Sequence, residues 1–525
     1  MSSAANPTTP VADDKLDKGV LIVAGVVVLG AIMSILDITV VTIAMEKFRE
    51  VFEASPAQVA WTMTGYTLAL ASVIPLTGWA ADRFGTKRLY LLAILLFTAG
   101  SVLCSMANSI ETLVIFRVLQ GLGGGMLMPL GMTILTRAAG PDRVGRVMAV
   151  LGIPMLLGPI FGPILGGWLI DVASWHWIFL INVPIGAIAL AYAAMVLPKD
   201  DPSPSETFDW IGMLLLSPGL AAFLYGVSSI PEHGGVGHRE VWLPAVVGLV
   251  LILAFVGRTL FNEVEHPLLD LHLLQNRQMA IAVTAMSLFA MAFFGASILF
   301  AQYFIAVRGE GTLSTGWLLA PQGFGAMLTM PVAGILVDKI GPGKIVLAGV
   351  SLIVVGMAMF TQVGVDTSYT YLLAALFIQG LGMGATMMPI MTSALQTLTD
   401  HNLARGSTLM NIVQQVAASI GTALFSVLLT NSYNDSKEIG LMTAIARAGD
   451  DQSALGAILA KFQITPDQIP ALAAIAKSDM AAAFGSAFVV ATGLVALVLV
   501  PALLLPRQRI QVDRDPAHTA AGHLH

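Results

Sequence analysis

Residues Gly19–Met45 read GVLIVAGVVVLGAIMSILDITVVTIAM, an unbroken apolar run that carries one charge, Asp37. The run exceeds the roughly 20 residues a helix needs to cross the hydrocarbon of a bilayer. A second run, Leu113–Thr136, carries one charge near its start, Arg117. Either charge in hydrocarbon costs about 2.5–3.5 kcal/mol on insertion scales, so a chain keeps it where it faces a partner, a water-filled path or a substrate. Asp37 lies roughly 12 Å from the outer end of its helix, at about 1.5 Å per residue. Arg117 lies roughly 9–10 Å from the outer start of a helix running the other way. At that shared depth a carboxylate and a guanidinium can meet across a bundle, and the pair is a candidate proton site.

The whole chain follows the same pattern. Of its 525 residues 56% are hydrophobic and 11% charged, with a mean hydropathy of +0.82. Soluble domains hold about 25% charged residues, so this composition calls for a polytopic membrane protein. Lipid offers an open backbone no partners, and the spans are therefore expected to be helices. The net charge of −6 is small and implies nothing about nucleic acid; no nucleic-acid partner is expected. A single cysteine, Cys104, excludes an intramolecular disulfide and a cysteine-based metal cluster; its expected role is helix packing. There is no G-x-x-x-x-G-K-S/T phosphate loop, so neither an ATPase nor another enzyme is indicated, and no cofactor is expected. His518, His523 and His525 cluster in a polar tail that reads as solvated, not as a metal site. The first 18 residues lack a signal peptide's apolar core, so the first span is expected to stay in the mature protein.

Fourteen spans are expected: 19–45, 57–80, 88–107, 110–136, 146–170, 176–197, 209–229, 241–261, 279–306, 313–337, 343–364, 370–397, 406–430 and 480–505. With the N-terminus in the cytoplasm, about seventeen Lys and Arg fall on that side and about four in short outside loops, the bias that sets orientation. An even number of spans returns the C-terminus to the same side. Asn431–Asp479 is then the longest outside loop, and alanine-rich patches such as SALGAILAKF can form short amphipathic helices on the membrane surface.

Two segments occur twice. Gly78–Lys87 (GWAADRFGTK) and Gly334–Lys344 (GILVDKIGPGK) each end an apolar span with G-x-x-x-D-R/K-x-G. Gln120–Pro129 (QGLGGGMLMP) and Gln379–Pro389 (QGLGMGATMMP) form the second pair. The aspartates, Asp82 and Asp338, are 256 residues apart and the glutamines 259. Nearly one offset serves both, so a duplicated block of helices is expected. Internal repeats belong to transporters that rock two halves about a midplane site. The offset leaves room for two additional helices, at 209–229 and 241–261.

Through these motifs the chain resembles the major facilitator superfamily, and most of all its fourteen-span branch of drug:proton antiporters. LDITVVTIAM at Leu36–Met45 is similar to that branch's first-helix signature, with Thr42 in place of its asparagine. Gly78–Arg88 is similar to the superfamily's loop motif, and RVLQGLGGG at Arg117–Gly125 to its fourth-helix motif. GPIFGPILGG at Gly158–Gly167 is similar to the fifth-helix motif of antiporters. SWHWIFLINVPIG at Ser174–Gly186 is branch-like, with His176 where an arginine is usual. The resemblance implies an all-α major facilitator fold of two six-helix bundles plus two extra helices. Its parts would be a cytoplasmic tail (1–18), an N-terminal bundle (19–197), a linker with the two extra helices (198–261), a C-terminal bundle (262–505) holding the outside loop 431–479, and a second cytoplasmic tail (506–525).

The resemblance also implies roles. Asp37 is the expected proton carrier and Arg117 its partner, against the alternative of a static ion pair. Gln120, three residues beyond Arg117, shares its helix face and is a candidate substrate-binding residue that can hydrogen-bond the ion pair or a ligand, against the alternative of an ordinary interhelical hydrogen bond. Gly78, Asp82, Arg83, Gly85, Lys87 and Arg88, with Asp338 in the second copy, form the expected conformational switch. Asp82 would cap the span beginning at Gly406, whose positive dipole end faces it. Gly158, Gly162 and Gly166 make a smooth ridge for a neighbouring helix; Pro159 and Pro163 remove donors and bend the helix; Gly167 ends the motif. Tyr66, Gln302, Tyr303, Asn411 and Gln414 are candidate polar contacts in an apolar ligand cavity. The expected function is proton-driven multidrug efflux across the inner, plasma membrane, with lipophilic or cationic compounds, protons and the bilayer as partners. The alternatives are a dedicated exporter of one metabolite, lipid or siderophore, and a receptor or scaffold that transports nothing. The sequence identifies no accessory protein of the periplasm or outer membrane.

Overall fold

The computed structural model describes residues 17–140, 143–199, 207–230, 235–261, 264, 266–399, 402–448, 459, 462 and 464–508. Among these the chain is helical throughout its length and holds no strand. Its helices are α1 Lys18–Phe52, α2 Pro56–Phe84, α3 Thr86–Ser105, α4 Ile110–Ala139, α5 Val144–Val172, α6 Trp177–Val196, α7 Trp210–Ser228, α8 Arg239–Phe261, α9 Arg277–Val307, α10 Thr312–Ile340, α11 Pro342–Gln362, α12 Tyr369–Leu395, α13 Leu403–Asp435, α14 Lys437–Ala448 and α15 Ile469–Leu504. Thirteen of them are long and apolar enough to cross a membrane. The 29-residue α5 is the fourteenth long helix of the series, and α14 is short.

Several helices outrun the expected spans, for local reasons. At the far end of α1, Lys47–Glu50 and Glu46–Arg49 pairs at 2.7 and 2.8 Å carry the helix past the apolar run to Phe52. Capping boxes at Ser55 and Ser109 set the starts of α2 and α4. The long loop is shorter than expected, because α13 runs on to Asp435 and α15 begins at Ile469. Between them α14 is amphipathic, with Ile439 and Leu441 buried. Its start is tied to α15 by a Ser436–Asp479 hydrogen bond of 2.7 Å. Most of SALGAILAKF lies outside the described residues.

The duplication is visible in the packing. α1 lies along α5, and α2 and α3 flank α4; likewise α9 lies along α13, and α10 and α11 flank α12. Equivalent glycines make equivalent close approaches. A Cβ on Gly125 would sit 2.6 Å from the Leu70 carbonyl oxygen, and one on Gly384 would sit 2.5 Å from that of Ala326. Both pairs preserve the sequence offsets. Gly85 and Gly341, which end α2 and α10, take φ of +91° and +85°, a region that favours glycine.

The two copies meet through α5 against α10 and α2 against α13. α7 and α8 pack on each other, and α7 lies against both α2 and α13. The linker is pinned by Asp209, which caps α7 through the Gly212 N–H (2.8 Å) and grips Arg258 of α8 at 2.9 and 3.0 Å. Phe208 packs on Trp79 of α2 at 4.4 Å between ring centroids.

Candidate functional site

α1 is set close to α5 by the glycine ridge. A Cβ at Gly158 would overlap Ile35, and one at Gly162 would overlap the Thr39 side chain. One at Gly166 would lie 3.2 Å from Val40. Gly167 points into open space, so three of the four glycines face α1. α5 runs unbroken through positions 159 and 163, and the side chains of Pro159 and Pro163 lie outside the described residues. This close crossing brackets Asp37 and fixes which way its carboxylate faces.

That carboxylate meets Arg117. The ion pair joins Arg117 Nη1 to Asp37 Oδ2, with both side chains fully buried. Gln120 closes the ring: its Oε1 accepts from Arg117 Nη1 at 2.7 Å and its Nε2 donates to Asp37 Oδ1 at 2.7 Å. The same Nε2 lies 2.8 Å from Ser101 Oγ on α3. Asn182 of α6 donates to Asp37 Oδ1 at 3.2 Å and to Ser101 Oγ at 3.3 Å. Arg117 Nε donates to the Thr62 carbonyl at 3.2 Å, and the guanidinium sits 4.1 Å over the Tyr66 ring. The Cys104 thiol donates weakly to Gln120 Oε1 at 3.6 Å. Helices α1, α2, α3, α4 and α6 thus contribute to one connected cluster around the ion pair.

Such a cluster has a chemical consequence. A buried ion pair survives because further hydrogen bonds satisfy its remaining lone pairs and protons, and removing one partner strands the other charge. Protonating Asp37 removes the counter-charge of Arg117 in one step.

Sequence reasoning found the charges and Gln120 but missed Asn182 and Ser101. Asn182 lies inside SWHWIFLINVPIG, yet its phase relative to α1 depends on how α6 crosses the bundle. Asn182→Ala is expected to lower stability by about 1–3 kcal/mol, the cost of stripping a hydrogen bond from a buried charged group. Thermal unfolding of the purified protein checks this; an unchanged melting temperature means that Asn182 does not hold the carboxylate.

At the end of the bundle where α1 begins and α15 finishes, here called the basic end, two latches close the copies on each other. Asp82 of α2 pairs with Arg405 in the first turn of α13 at 3.2 Å. Asp338 of α10 accepts from the Gly145 N–H of α5 at 2.9 Å and pairs with Arg146 at 3.4 Å. Arg146 and Arg405 are 259 residues apart, the spacing of Gln120 and Gln379, so the second latch is a copy of the first. Gly145 matters because a Cβ there would lie 2.7 Å from the Asp338 carboxylate. Gly78 backs onto Arg405 of α13. Lys87 caps the carboxyl end of α6 at the Ala194 and Leu197 carbonyls, 2.8 and 2.5 Å away. Arg83 is half-buried and Arg88 exposed.

The remaining candidates do not gather in one place. Tyr66 belongs to the Arg117 cluster. Asn411 donates to the Ser407 carbonyl at 2.8 Å and touches Met132 Sδ at 3.3 Å, where α13 meets α4. Gln414, one turn on, leaves a buried Oε1 unpartnered. Gln302 is half-buried near the far end of α9. Tyr303 beside it is buried and donates to the Gly364 carbonyl at 2.8 Å. Thr42 bonds its own helix, at the Ile38 carbonyl, and His176 stacks on Trp175 at 3.9 Å. Among the described residues no three His, Cys, Asp or Glu side chains form a metal-binding group.

Comparison with known proteins agrees with this geometry. Residues 27–422 match the sequence profile of the Major Facilitator Superfamily. The chain is 49% identical over 512 residues to the Multidrug resistance protein B homolog of Mycobacterium tuberculosis, covering 97% of this chain and 94% of that protein. It is 31% identical over 407 residues to the Multidrug export protein EmrB of Haemophilus influenzae, covering 77% and 79%. The fold is similar to that of the human organic anion transporter MFSD10, with a TM-score of 0.58 at 14% identity, over 91% of this chain and all of that one. It is also similar to the proton:xylose symporter XylE, with a TM-score of 0.53 at 15% identity, over 91% and 96%. The chain belongs to the major facilitator superfamily of membrane transporters, alongside proteins named for multidrug resistance and export.

Proposed function

We propose that this transporter is a proton-driven antiporter exporting lipophilic, often cationic compounds across the inner membrane. The observation that carries the reading is the Asp37 cluster. Among the described residues Asp37 is the buried acid that lies within a span and away from a helix end. Arg117 and Gln120 of α4 and Asn182 of α6 are its partners, and α2 and α3 hold those partners in turn. A proton and a cationic substrate compete for this carboxylate, and arrival of one releases the other. Arg117, held under Tyr66, is the fixed positive charge against which the exchange is made. The energetics suffice: one entering proton gains about 2.3 kcal/mol per 100 mV and about 1.4 kcal/mol per pH unit. The names of the relatives support the drug class of the cargo.

The two latches supply the second half of the cycle. They bind one copy to the other at the basic end, so releasing them is required before that end can open. Asp82→Asn is expected to slow transport several-fold while leaving substrate affinity within about twofold, because the latch lies at a helix end away from the Asp37 cluster. Transport rates and equilibrium binding on the same preparation check this; an unchanged rate at equal expression removes the switching role.

In the proposed orientation the basic end faces the cytoplasm and α14 lies outside. Gly440 is exposed on α14 and its surroundings leave room for a side chain. A Gly440→Cys variant is expected to react with an impermeant maleimide in intact cells, while buried Cys104 stays silent. Labelling only after lysis would reverse the topology.

Proteoliposomes with an imposed pH gradient test the function as a whole. Tetraphenylphosphonium is expected to accumulate against its gradient and to leak back when the pH gradient is collapsed. Flux indifferent to the gradient contradicts proton coupling, and no flux contradicts transport of this class.

A further inference from the structure

The C-terminal copy keeps the glutamine of the Asp37 cluster without the charges. Packing sets the equivalences. Gly162 lies on Thr39, and its counterpart Gly421 lies on Gly295, where a Cβ on Gly295 would be 2.5 Å from the Gly421 carbonyl carbon. Gly100 backs onto Gln120, and Gly356 backs onto Gln379. These fixed points put Phe293 where the first copy has Asp37, Leu376 where it has Arg117, Met357 where it has Ser101 and Gln322 where it has Tyr66. Phe293, Leu376 and Met357 are buried.

Gln379 therefore sits fully buried at a position surrounded by apolar replacements. Its Oε1 accepts from Gln322 Nε2 at 3.3 Å, and its Nε2 has no partner. A buried unmade hydrogen bond costs about 1–3 kcal/mol, so an acceptor brought from outside the chain gains by pairing with this amide. Gln322 is half-exposed and gives that acceptor its way in. A charged group gains nothing here, since no counter-charge is among the replacements.

We propose that Gln379 and Gln322 form a neutral substrate subsite that recognises an uncharged oxygen acceptor, a carbonyl or an ether, on an otherwise lipophilic molecule. The first copy would then read charge and the second would read polarity without charge. This inference rests on the efflux reading only for its choice of cationic probes.

Two triphenylphosphonium cations provide the test, one with a 4-oxopentyl arm and one with a 4-methylpentyl arm; they differ in a carbonyl oxygen against a methyl. The parent protein in nanodiscs is expected to bind the ketone about fivefold to tenfold more tightly, the worth of one buried hydrogen bond. Gln379→Leu should bring that ratio to about one while export of the methyl probe persists, which verifies folding. Gln322→Met, at the half-exposed position, should reduce the ratio as well. A ketone preference that survives both substitutions, or no preference in the parent, overturns the subsite and leaves a structural water as the only occupant. Failure of the parent to bind or export either cation overturns the efflux reading along with it.

Discussion

Asp37→Asn is expected to abolish proton-driven export and to leave a folded protein. Asparagine keeps the size of the side chain and can still accept at Oδ1 from Gln120 and Asn182. It cannot cycle a proton, and it leaves Arg117 buried without a counter-charge. Breaking such a pair by removing one partner costs about 3–5 kcal/mol, so the melting temperature falls as activity vanishes. Two further variants separate these effects. Asp37→Glu retains a titratable group and should keep partial exchange. Asp37→Asn combined with Arg117→Gln removes both charges, and should recover stability without recovering exchange. The measurement is substrate-dependent proton flux in proteoliposomes, with folding followed by size-exclusion profile and thermal unfolding. If the folded Asn variant exchanges at the parent rate, Asp37 is not the coupling group.

The second large effect is expected at the ridge. Gly162→Leu forces a side chain into space already held by Thr39. The two helices must separate, and α1 carries Asp37 away from Arg117 as it moves. Overpacking costs about 1–3 kcal/mol, and the functional loss should exceed it because the whole hydrogen-bond ring depends on where α1 lies. Gly167→Leu is the internal control. Gly167 faces open space, so the same substitution five residues on should leave export within about twofold. Export and melting temperature of both variants decide the matter. Equal effects at 162 and 167 would mean that the close crossing of α1 and α5 is not what positions the site.

Much of this is legible in the sequence. Helices in lipid announce themselves by length and composition, and the G-x-x-x-D motif repeated at Asp82 and Asp338 reveals the duplication without any alignment. Asp37 and Arg117 stand out because a charge in an apolar run is costly unless it is paired or put to use. What stays hidden depends on phase and crossing angle. Ser101 and Asn182 are neutral polar residues of kinds that bond between helices everywhere, and their chain positions give no sign that both join the cluster around one carboxylate. Arg146 and Gly145 belong to the second latch, but only the seating of α5 against α10 brings them to Asp338. Helix ends depart from the expected spans where paired charged residues carry a helix past its apolar run, as at Lys47 and Arg49. Gln379 is recognisable as a motif residue, and its missing partner becomes visible only once Phe293 and Leu376 are seen to stand where the first copy has its charges.

The central claim is that proton and substrate compete for Asp37. The direct measurement is proton release on substrate binding, read with a pH indicator on purified protein in weakly buffered detergent solution. Adding tetraphenylphosphonium to the parent should release protons in saturable fashion, at a pH where the carboxyl group is protonated, and the Asp37→Asn variant should release none. Binding of the cation to the parent without proton release, or equal release from the variant, would contradict the account.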